Sequence, residues 1–194
     1  MSKLFLTNET QLLFAKTLHD IAAPLGALTL CVDDIKKALP ESADLIESSI
    51  ETLSQRISYW RLMITGGDQS PTYSDAANAI RSMARLKSVE VTFEHAEDYQ
   101  GIYIRLILAL VMIGLESLPR GGNIIIDADK GSVTISGEKC YLSNEVKEAL
   151  NGSVKEPSSR HALGLLIFGW AKICGALIKL EHEPTKLVFT LHVQ

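Results

Sequence analysis

Residues 19–25 read His-Asp-Ile-Ala-Ala-Pro-Leu, so a histidine, an acidic neighbour and a proline lie together inside a helical pattern. A proline in a helix interior removes a backbone hydrogen bond and costs about 3 kcal/mol. We therefore expect this part of the helix to have a function that offsets the cost of the proline in stability. The ring of His19 is a candidate for it, because imidazole is a nucleophile that titrates near neutrality.

The apolar residues around this stretch predict a long helix with one buried face. His19 follows one of these residues and does not belong to the stripe, so we expect its ring to face solvent. The alternative is a buried histidine whose ring is satisfied by a neighbour. The stripe repeats in alternating steps of four and three residues, as in helices packed side by side, and consists of Phe14, Leu18, Ile21, Leu25, Leu28, Val32, Ile35 and Leu39.

The surface predicted to surround His19 is made mostly of small residues. Exposed helix faces usually carry long charged side chains, so this composition predicts a floor on which another protein can dock. Lys16 is placed to favour a negative charge near the ring. Alternatively, the alanines are present only because alanine is the best helix former. The residues within two turns of His19 on the same face are Ala15, Lys16, Ala22, Ala23, Gly26 and Ala27.

A second apolar stripe predicts another helix, antiparallel to the first. Pro40-Glu41-Ser42 is predicted to form a short turn, with Ser42 capping the next helix. One hairpin cannot cover both stripes, whereas two copies in a four-helix bundle bury them, so we expect a homodimer. The second stripe consists of Ile46, Ile50, Leu53, Ile57, Trp60 and Ile64.

The chain divides after this hairpin. Residues 65–71 lack periodicity and bulky apolar side chains, which is typical of a linker. We therefore predict a helical hairpin domain at residues 1–68 and a second domain at residues 72–194. In the second domain helices alternate with strands, which predicts an α/β sandwich with helices on one face of a mixed sheet, and an α+β fold class for the chain. Its predicted helices are Asp75–Leu86, Ile104–Leu118, Ser143–Leu150 and His161–Cys174, and its predicted strands are Val89–Glu94, Asn123–Ala128, Ser132–Ser136, Ala176–Glu183 and Leu187–Val193.

The composition argues against several classes of protein. A net charge of −4 and an isoelectric point near 5.7 argue against a nucleic-acid partner, which would select a basic face. The N-terminus does not resemble a signal peptide, and the apolar run 106–115 is too short to span a bilayer, so we expect a cytoplasmic protein with no membrane partner. Neither a disulfide framework nor a metal site is predicted, because Cys31, Cys140 and Cys174 are scattered and odd in number.

Two parts of the chain resemble a known family. His19-Asp20-x-x-x-Pro24-Leu25 on the first helix of a hairpin resembles the phosphoacceptor box of dimeric sensor histidine kinases. The element order of the second domain resembles their ATP-binding domain. Residues 106–122 are similar to the helix that ends in Pro-x-Gly-Gly, and residues 161–183 are similar to the last helix and its following strand.

The nucleotide motifs of that family are missing. Its magnesium-holding asparagines would fall at about Ala109 and Ile113, whose side chains cannot coordinate a metal. The adenine-reading aspartate has no counterpart in residues 136–140, which read Ser-Gly-Glu-Lys-Cys. The glycine-rich phosphate turn is reduced to Gly164 alone within residues 161–165. We therefore expect the chain neither to hydrolyse ATP nor to use it directly.

A histidine-bearing hairpin joined to such a degenerate domain resembles the ChpT-like histidine phosphotransferases. The resemblance implies that His19 carries a phosphoryl group between aspartates of response-regulator receiver domains, in a bacterial phosphorelay fed by a hybrid histidine kinase. It further implies that Asp20 helps to orient the ring and that Mg²⁺ is held by the receiver, so that the chain needs no cofactor of its own. Ala23 stands where many sensor kinases have Thr or Asn to position a hydrolytic water, so we expect no efficient phosphatase activity by that route.

Two other functions remain open on the sequence alone. One is an ATP-dependent histidine kinase with divergent nucleotide motifs, which nucleotide binding would reveal. The other is a non-catalytic adaptor that only binds a receiver or a kinase. Loss of phosphoryl transfer on replacing His19, with docking retained, would separate the adaptor from the phosphotransferase.

Overall fold

The amphipathic pattern of the N-terminal part produces helices. The computed structural model describes residues 40–64, 71–94 and 101–193, together with single residues of an N-terminal helical segment. All of these single residues are α-helical, as the sequence predicts for this region. They are Leu13, Lys16, Thr17, Asp20, Ile21, Pro24, Ala27, Leu28 and Cys31.

Helix α1 spans Pro40–Ile64. The prediction of a turn at residues 40–42 with Ser42 as the helix cap is wrong, because the helix already begins at Pro40. Proline suits a first helical position, since its fixed φ matches the helix and the N–H that it lacks would have no partner there. The predicted linker falls largely on residues 65–70, which lie outside the described residues.

Helix α2 spans Tyr73–Arg85 and begins two residues before its predicted start at Asp75. A capping box fixes this start, because the backbone N–H of Asp75 donates to the Thr72 hydroxyl at 3.1 Å and the Asp75 carboxylate accepts from the N–H of Thr72 at 3.3 Å. Strand β1, Val89–Glu94, follows with the predicted bounds.

Helix α3 spans Ile102–Ser117 and is the central element of the core. Nearly every residue from Ile104 onwards is buried, which explains why its sequence is apolar on all sides rather than amphipathic. It packs closely on the sheet beneath it, because a Cβ added at Gly114 would lie 2.7 Å from Cγ1 of Ile135. This helix connects β1 to the strand that pairs with it in parallel, β2 (Gly122–Asp127).

Within the described residues the sheet has five strands: β1, β2 (Gly122–Asp127), β3 (Ser132–Ser136), β4 (Ala176–Glu183) and β5 (Lys186–Val193). Their order across the sheet is β1-β2-β3-β5-β4. The pair β1 and β2 is parallel, and the other pairs are antiparallel. Buried residues such as Ile124, Ile135 and Phe189 face the helices, while Glu90 and Glu181 are exposed, so the helices cover one face of the sheet as predicted. The remaining α-helices of the described residues are α4 (Asn144–Leu150) and α5 (Ala162–Ile173).

The helical N-terminal part shares its core with the sandwich. Leu13 and, from the last turns of α1, Tyr59, Trp60 and Met63 belong to the same cluster of buried side chains as α3. The Tyr59 hydroxyl donates to the backbone carbonyl of Leu108 at 2.6 Å, which satisfies this buried hydroxyl. Trp60, which belongs to the second apolar stripe, and Trp170, which lies on the predicted helix His161–Cys174, are both buried in the core. Within the described residues, no helix combines the length and the hydropathy needed to cross a bilayer.

Candidate functional site

The structure describes only part of the predicted site. Lys16, Asp20 and Ala27 are described, and all three are partly buried within helical backbone. The other predicted residues lie outside the described residues, so the roles assigned to them stay predictions. They are Ala15, His19, Ala22, Ala23 and Gly26.

Lys16 connects the N-terminal helical segment to the sandwich. Its Nζ lies 2.5 Å from Oε1 of Glu116, near the end of α3, and 3.3 Å from Oδ2 of Asp20, one turn along its own helix. Burial lowers the pKa of Lys16, but the two carboxylates, Glu116 above all, more than compensate and leave the pKa raised. The ammonium group therefore stays charged, and it holds the turn that contains residue 20 against α3.

Two further cations complete this cluster. Lys87 donates from Nζ to the carbonyl of Leu115 at 3.0 Å. Burial lowers the pKa of Lys87, with Glu116 opposing the shift and the positive charges of Arg56 and Lys16 adding to it. Lys87 thus interacts electrostatically with Lys16, Arg56, Asp20 and Glu116. We call these five residues the junction cluster (Lys16, Asp20, Arg56, Lys87 and Glu116); by formal charge they are three cations and two carboxylates among the described residues.

Arg56 reaches the same turn from the neighbouring helix. Its Nη1 donates to the backbone carbonyl of Asp20 at 3.1 Å. Sequence reasoning identified neither Arg56 nor Glu116 nor Lys87. Thirty-six residues separate Arg56 from Asp20, and local periodicity carries no signal for a contact at that distance along the chain.

The positions of the expected magnesium ligands lie in the hydrophobic core. Ala109 is 0% exposed and Ile113 is 2% exposed, and both belong to the main buried cluster. Neither side chain has a ligand atom, and packed core residues leave no space for a hydrated metal. Among the described residues, no group of three or more His, Cys, Asp or Glu side chains could hold a metal ion.

The segment expected to read adenine is bound to another part of the chain. The N–H groups of Gly137 and Cys140 donate to the carbonyls of Thr185 and Pro184 in the β4–β5 turn. The carboxylate of Glu138 pairs with Arg120 at 2.6 Å. These bonds make residues 137–140 a structural connection.

Gly164 lies inside α5 rather than in a phosphate-binding turn. A Cβ at this position would lie 2.6 Å from the Cβ of Ala149 and 3.1 Å from the carbonyl oxygen of Val146, so the glycine allows α4 and α5 to approach each other. His161 starts the helix as predicted: it is buried, and its Nδ1 accepts from the N–H of Ser158 at 3.1 Å.

Gly164→Ala is expected to lower the free energy of unfolding by about 1–3 kcal/mol, because overpacking outweighs the better helix propensity of alanine. Chemical denaturation measures this change. Adding Ala149→Gly removes the clashing methyl group, so the cost of Gly164→Ala should shrink in that background. An equal cost in both backgrounds would show that the contact with Ala149 does not explain the glycine.

His182 and His192 do not approach each other. In the antiparallel pair β4–β5, His182 lies opposite Leu187 and His192 lies opposite Leu177, at the two ends of the hairpin. Both side chains are exposed, and β4 is an edge strand.

The comparisons with known proteins agree with this geometry. Residues 73–186 match the family model described as the histidine phosphotransferase C-terminal domain. The chain belongs to the histidine phosphotransferase family. This confirms the resemblance to ChpT-like proteins, and the matched range of this histidine phosphotransferase contains the sandwich from α2 to the start of β5.

A solved structure extends the likeness of fold to nearly the whole chain. A bacterial phosphotransferase shares the fold with a TM-score of 0.82 and 22% identity, over 96% of each chain. The histidine kinase AdeS of Acinetobacter baumannii gives a TM-score of 0.48 and 10% identity, over 91% of this chain and 97% of its own. No curated protein shows significant sequence similarity to this histidine phosphotransferase.

Proposed function

We propose that this histidine phosphotransferase carries a phosphoryl group on His19 and transfers it between aspartates of response-regulator receiver domains. The observation that carries the proposal is a contrast within the chain. The phosphoacceptor-like motif is intact in the sequence, whereas the positions expected to hold magnesium are the buried apolar residues Ala109 and Ile113. A protein that keeps the phosphoacceptor motif but has apolar residues at the expected magnesium positions is suited to receive its phosphoryl group from another protein.

The proposed reaction is two successive displacements at phosphorus. A ring nitrogen of His19 attacks the aspartyl phosphate of a donor receiver, so that a P–N bond forms while the P–O bond breaks and the carboxylate leaves. The aspartate of a second receiver then attacks, and the imidazole leaves. The receiver supplies Mg²⁺, and this chain contributes position and electrostatics.

The junction cluster supports the electrostatic part of this proposal. Lys16 and Arg56 contact Asp20, directly after residue 19, and together with Lys87 they outnumber the carboxylates of Asp20 and Glu116. A positive bias favours the approach of a phosphorylated, acidic receiver. In the proposal, the receiver docks on Ala15, Ala22, Ala23, Gly26 and Ala27, with Lys16 at the edge of this floor.

A homodimer is part of the proposal. Helix α1 exposes large apolar side chains in the single chain: Leu45 is 53% exposed, Ile50 is 50% exposed and Ile57 is 37% exposed. Ile50 and Ile57 belong to the stripe that predicts a four-helix bundle. Pairing of two copies along α1 would bury them, and we expect such a dimer to act in the cytoplasm together with its receivers and a hybrid histidine kinase.

The direct test is phosphorylation by a receiver in the absence of ATP. A purified phosphorylated receiver should label this chain, and the label should be acid-labile and alkali-stable, as a phosphoramidate is. A receiver that binds this chain without phosphorylating it would instead support the function of a non-catalytic adaptor. Profiling all receivers of the source organism would identify the donor and the acceptor.

ATP with Mg²⁺ is expected to bind with no useful affinity, because the magnesium positions are apolar and residues 137–140 are bound to the β4–β5 turn. Isothermal titration calorimetry should show no saturable heat below about millimolar concentration, where the binding free energy is only about −4 kcal/mol. Saturable binding in the micromolar range would contradict this expectation and favour a histidine kinase with divergent motifs.

A further inference from the structure

Pro24 leaves a gap in the backbone hydrogen bonding of the N-terminal helix. In an α-helix the carbonyl of residue i accepts from the N–H of residue i+4, so the carbonyl of Asp20 would bond to residue 24. Pro24 is α-helical in the structure, yet it has no N–H to donate. A carbonyl deprived of its helical donor in a partly buried place costs stability unless another group reaches it.

Arg56 reaches this carbonyl. Its Nη1 donates to the oxygen of Asp20 at 3.1 Å from the neighbouring helix α1. A charged guanidinium is a stronger hydrogen-bond donor than a neutral backbone N–H. The bond is therefore both a replacement for the missing intrahelical bond and a link between the two helices.

A second cation also holds the turn of Asp20. Lys16 is itself held by Glu116 and Asp20 at 2.5 and 3.3 Å. The turn of Asp20 is thus fixed on two sides, through its side chain by Lys16 and through its backbone by Arg56.

We propose that Arg56 is a positioning residue for the phosphoacceptor: it replaces the hydrogen bond that Pro24 removes and fixes the backbone directly after residue 19. This inference rests on the proposed role of His19. In-line transfer requires the nucleophilic nitrogen to be placed closely against phosphorus, and small displacements of a reacting group slow such reactions strongly. Arg56 touches neither phosphorus nor the ring in this proposal, and it acts through the carbonyl of Asp20.

The test is a double-mutant cycle between Arg56 and Pro24. Arg56→Gln is expected to lower the single-turnover rate of transfer by about tenfold when it is measured at a saturating concentration of the phosphorylated receiver. In a Pro24→Ala background the N–H of residue 24 can bond to Asp20, so Arg56→Gln should lower the rate by less than about threefold. Arg56→Lys keeps a charged donor and should recover part of the rate. Arg61→Gln removes the same charge from an exposed position of the same helix and should leave the rate unchanged.

The outcomes separate this proposal from the proposed function. If a phosphorylated receiver fails to label even the wild-type chain, the role of His19 is wrong, and a positioning role for Arg56 in that transfer is overturned with it. If transfer is normal in wild type but Arg56→Gln costs the same in both backgrounds, the link to Pro24 alone is overturned. A variant that loses thermal stability yet transfers at the wild-type rate well below its Tm would reduce Arg56 to a purely structural residue.

The coupling can also be measured without any receiver. Hydrogen exchange of the amides in residues 20–25 should accelerate in Arg56→Gln and return towards the wild-type rate in the double variant with Pro24→Ala. Unfolding free energies of the four proteins should show the same non-additivity. Additive free energies together with unchanged exchange would overturn the proposed replacement of the backbone bond.

Discussion

His19→Ala is expected to abolish phosphorylation of the chain by a phosphorylated receiver. The loss should be complete, because alanine has no nucleophilic nitrogen and a P–N bond cannot form. The fold and the proposed dimer should persist, since a residue that the sequence places outside the apolar stripe is expected to contribute little to packing. Labelling with a phosphorylated receiver, circular dichroism and sedimentation of the same preparation measure the three properties.

The matched control for this prediction is His182→Ala. His182 is exposed on the edge strand β4, so removing its ring should leave labelling unchanged. Normal labelling of His19→Ala, or a label traced to His95, His161, His182 or His192, would refute the assignment of the phosphoacceptor.

Ile57→Asp is expected to convert the proposed dimer into a monomer. Ile57 is 37% exposed in the single chain and lies on the stripe that two copies would bury. Placing an unpaired carboxylate in that interface costs several kcal/mol, which corresponds to a dimer dissociation constant raised by about a hundredfold or more. Analytical ultracentrifugation at micromolar concentration should show the change in mass.

A control substitution places the same charge elsewhere. Ile173 is 61% exposed at the end of α5, and Ile173→Asp should leave the dimer intact because this residue lies outside the predicted bundle. The homodimer is refuted if the wild-type chain sediments as a folded monomer, or if Ile57→Asp and Ile173→Asp have the same effect.

The sequence was sufficient to predict most elements of the sandwich, because their signals are local. Strands β1 and β3 have the predicted bounds, and the turn between β2 and β3 follows from Asp129-Lys130-Gly131. The predicted start of α1 was wrong because Pro40 is compatible with both a turn and a first helical position, and because Ser42 is a residue type that often caps helices. The choice between them depends on the backbone around residue 40 rather than on residue type.

The candidate site was predictable only along its own helix. Lys16 and Asp20 were found because they lie within four residues of His19. The other members of the junction cluster, Arg56, Lys87 and Glu116, come from three other parts of the chain. They join Lys16 and Asp20 only because α1 and the N-terminal helical segment pack on the sandwich. The sequence does contain one indirect signal, since Pro24 in a helix implies a carbonyl at Asp20 in need of a donor, but it does not indicate which residue provides it.

The shared core has an evolutionary consequence. Tyr59, Trp60 and Met63 of α1 are buried in the same cluster as α3, so a gene shortened to the first 68 codons would encode a hairpin with three large apolar side chains uncovered. Selection on the hairpin therefore also preserves the sandwich that covers these side chains.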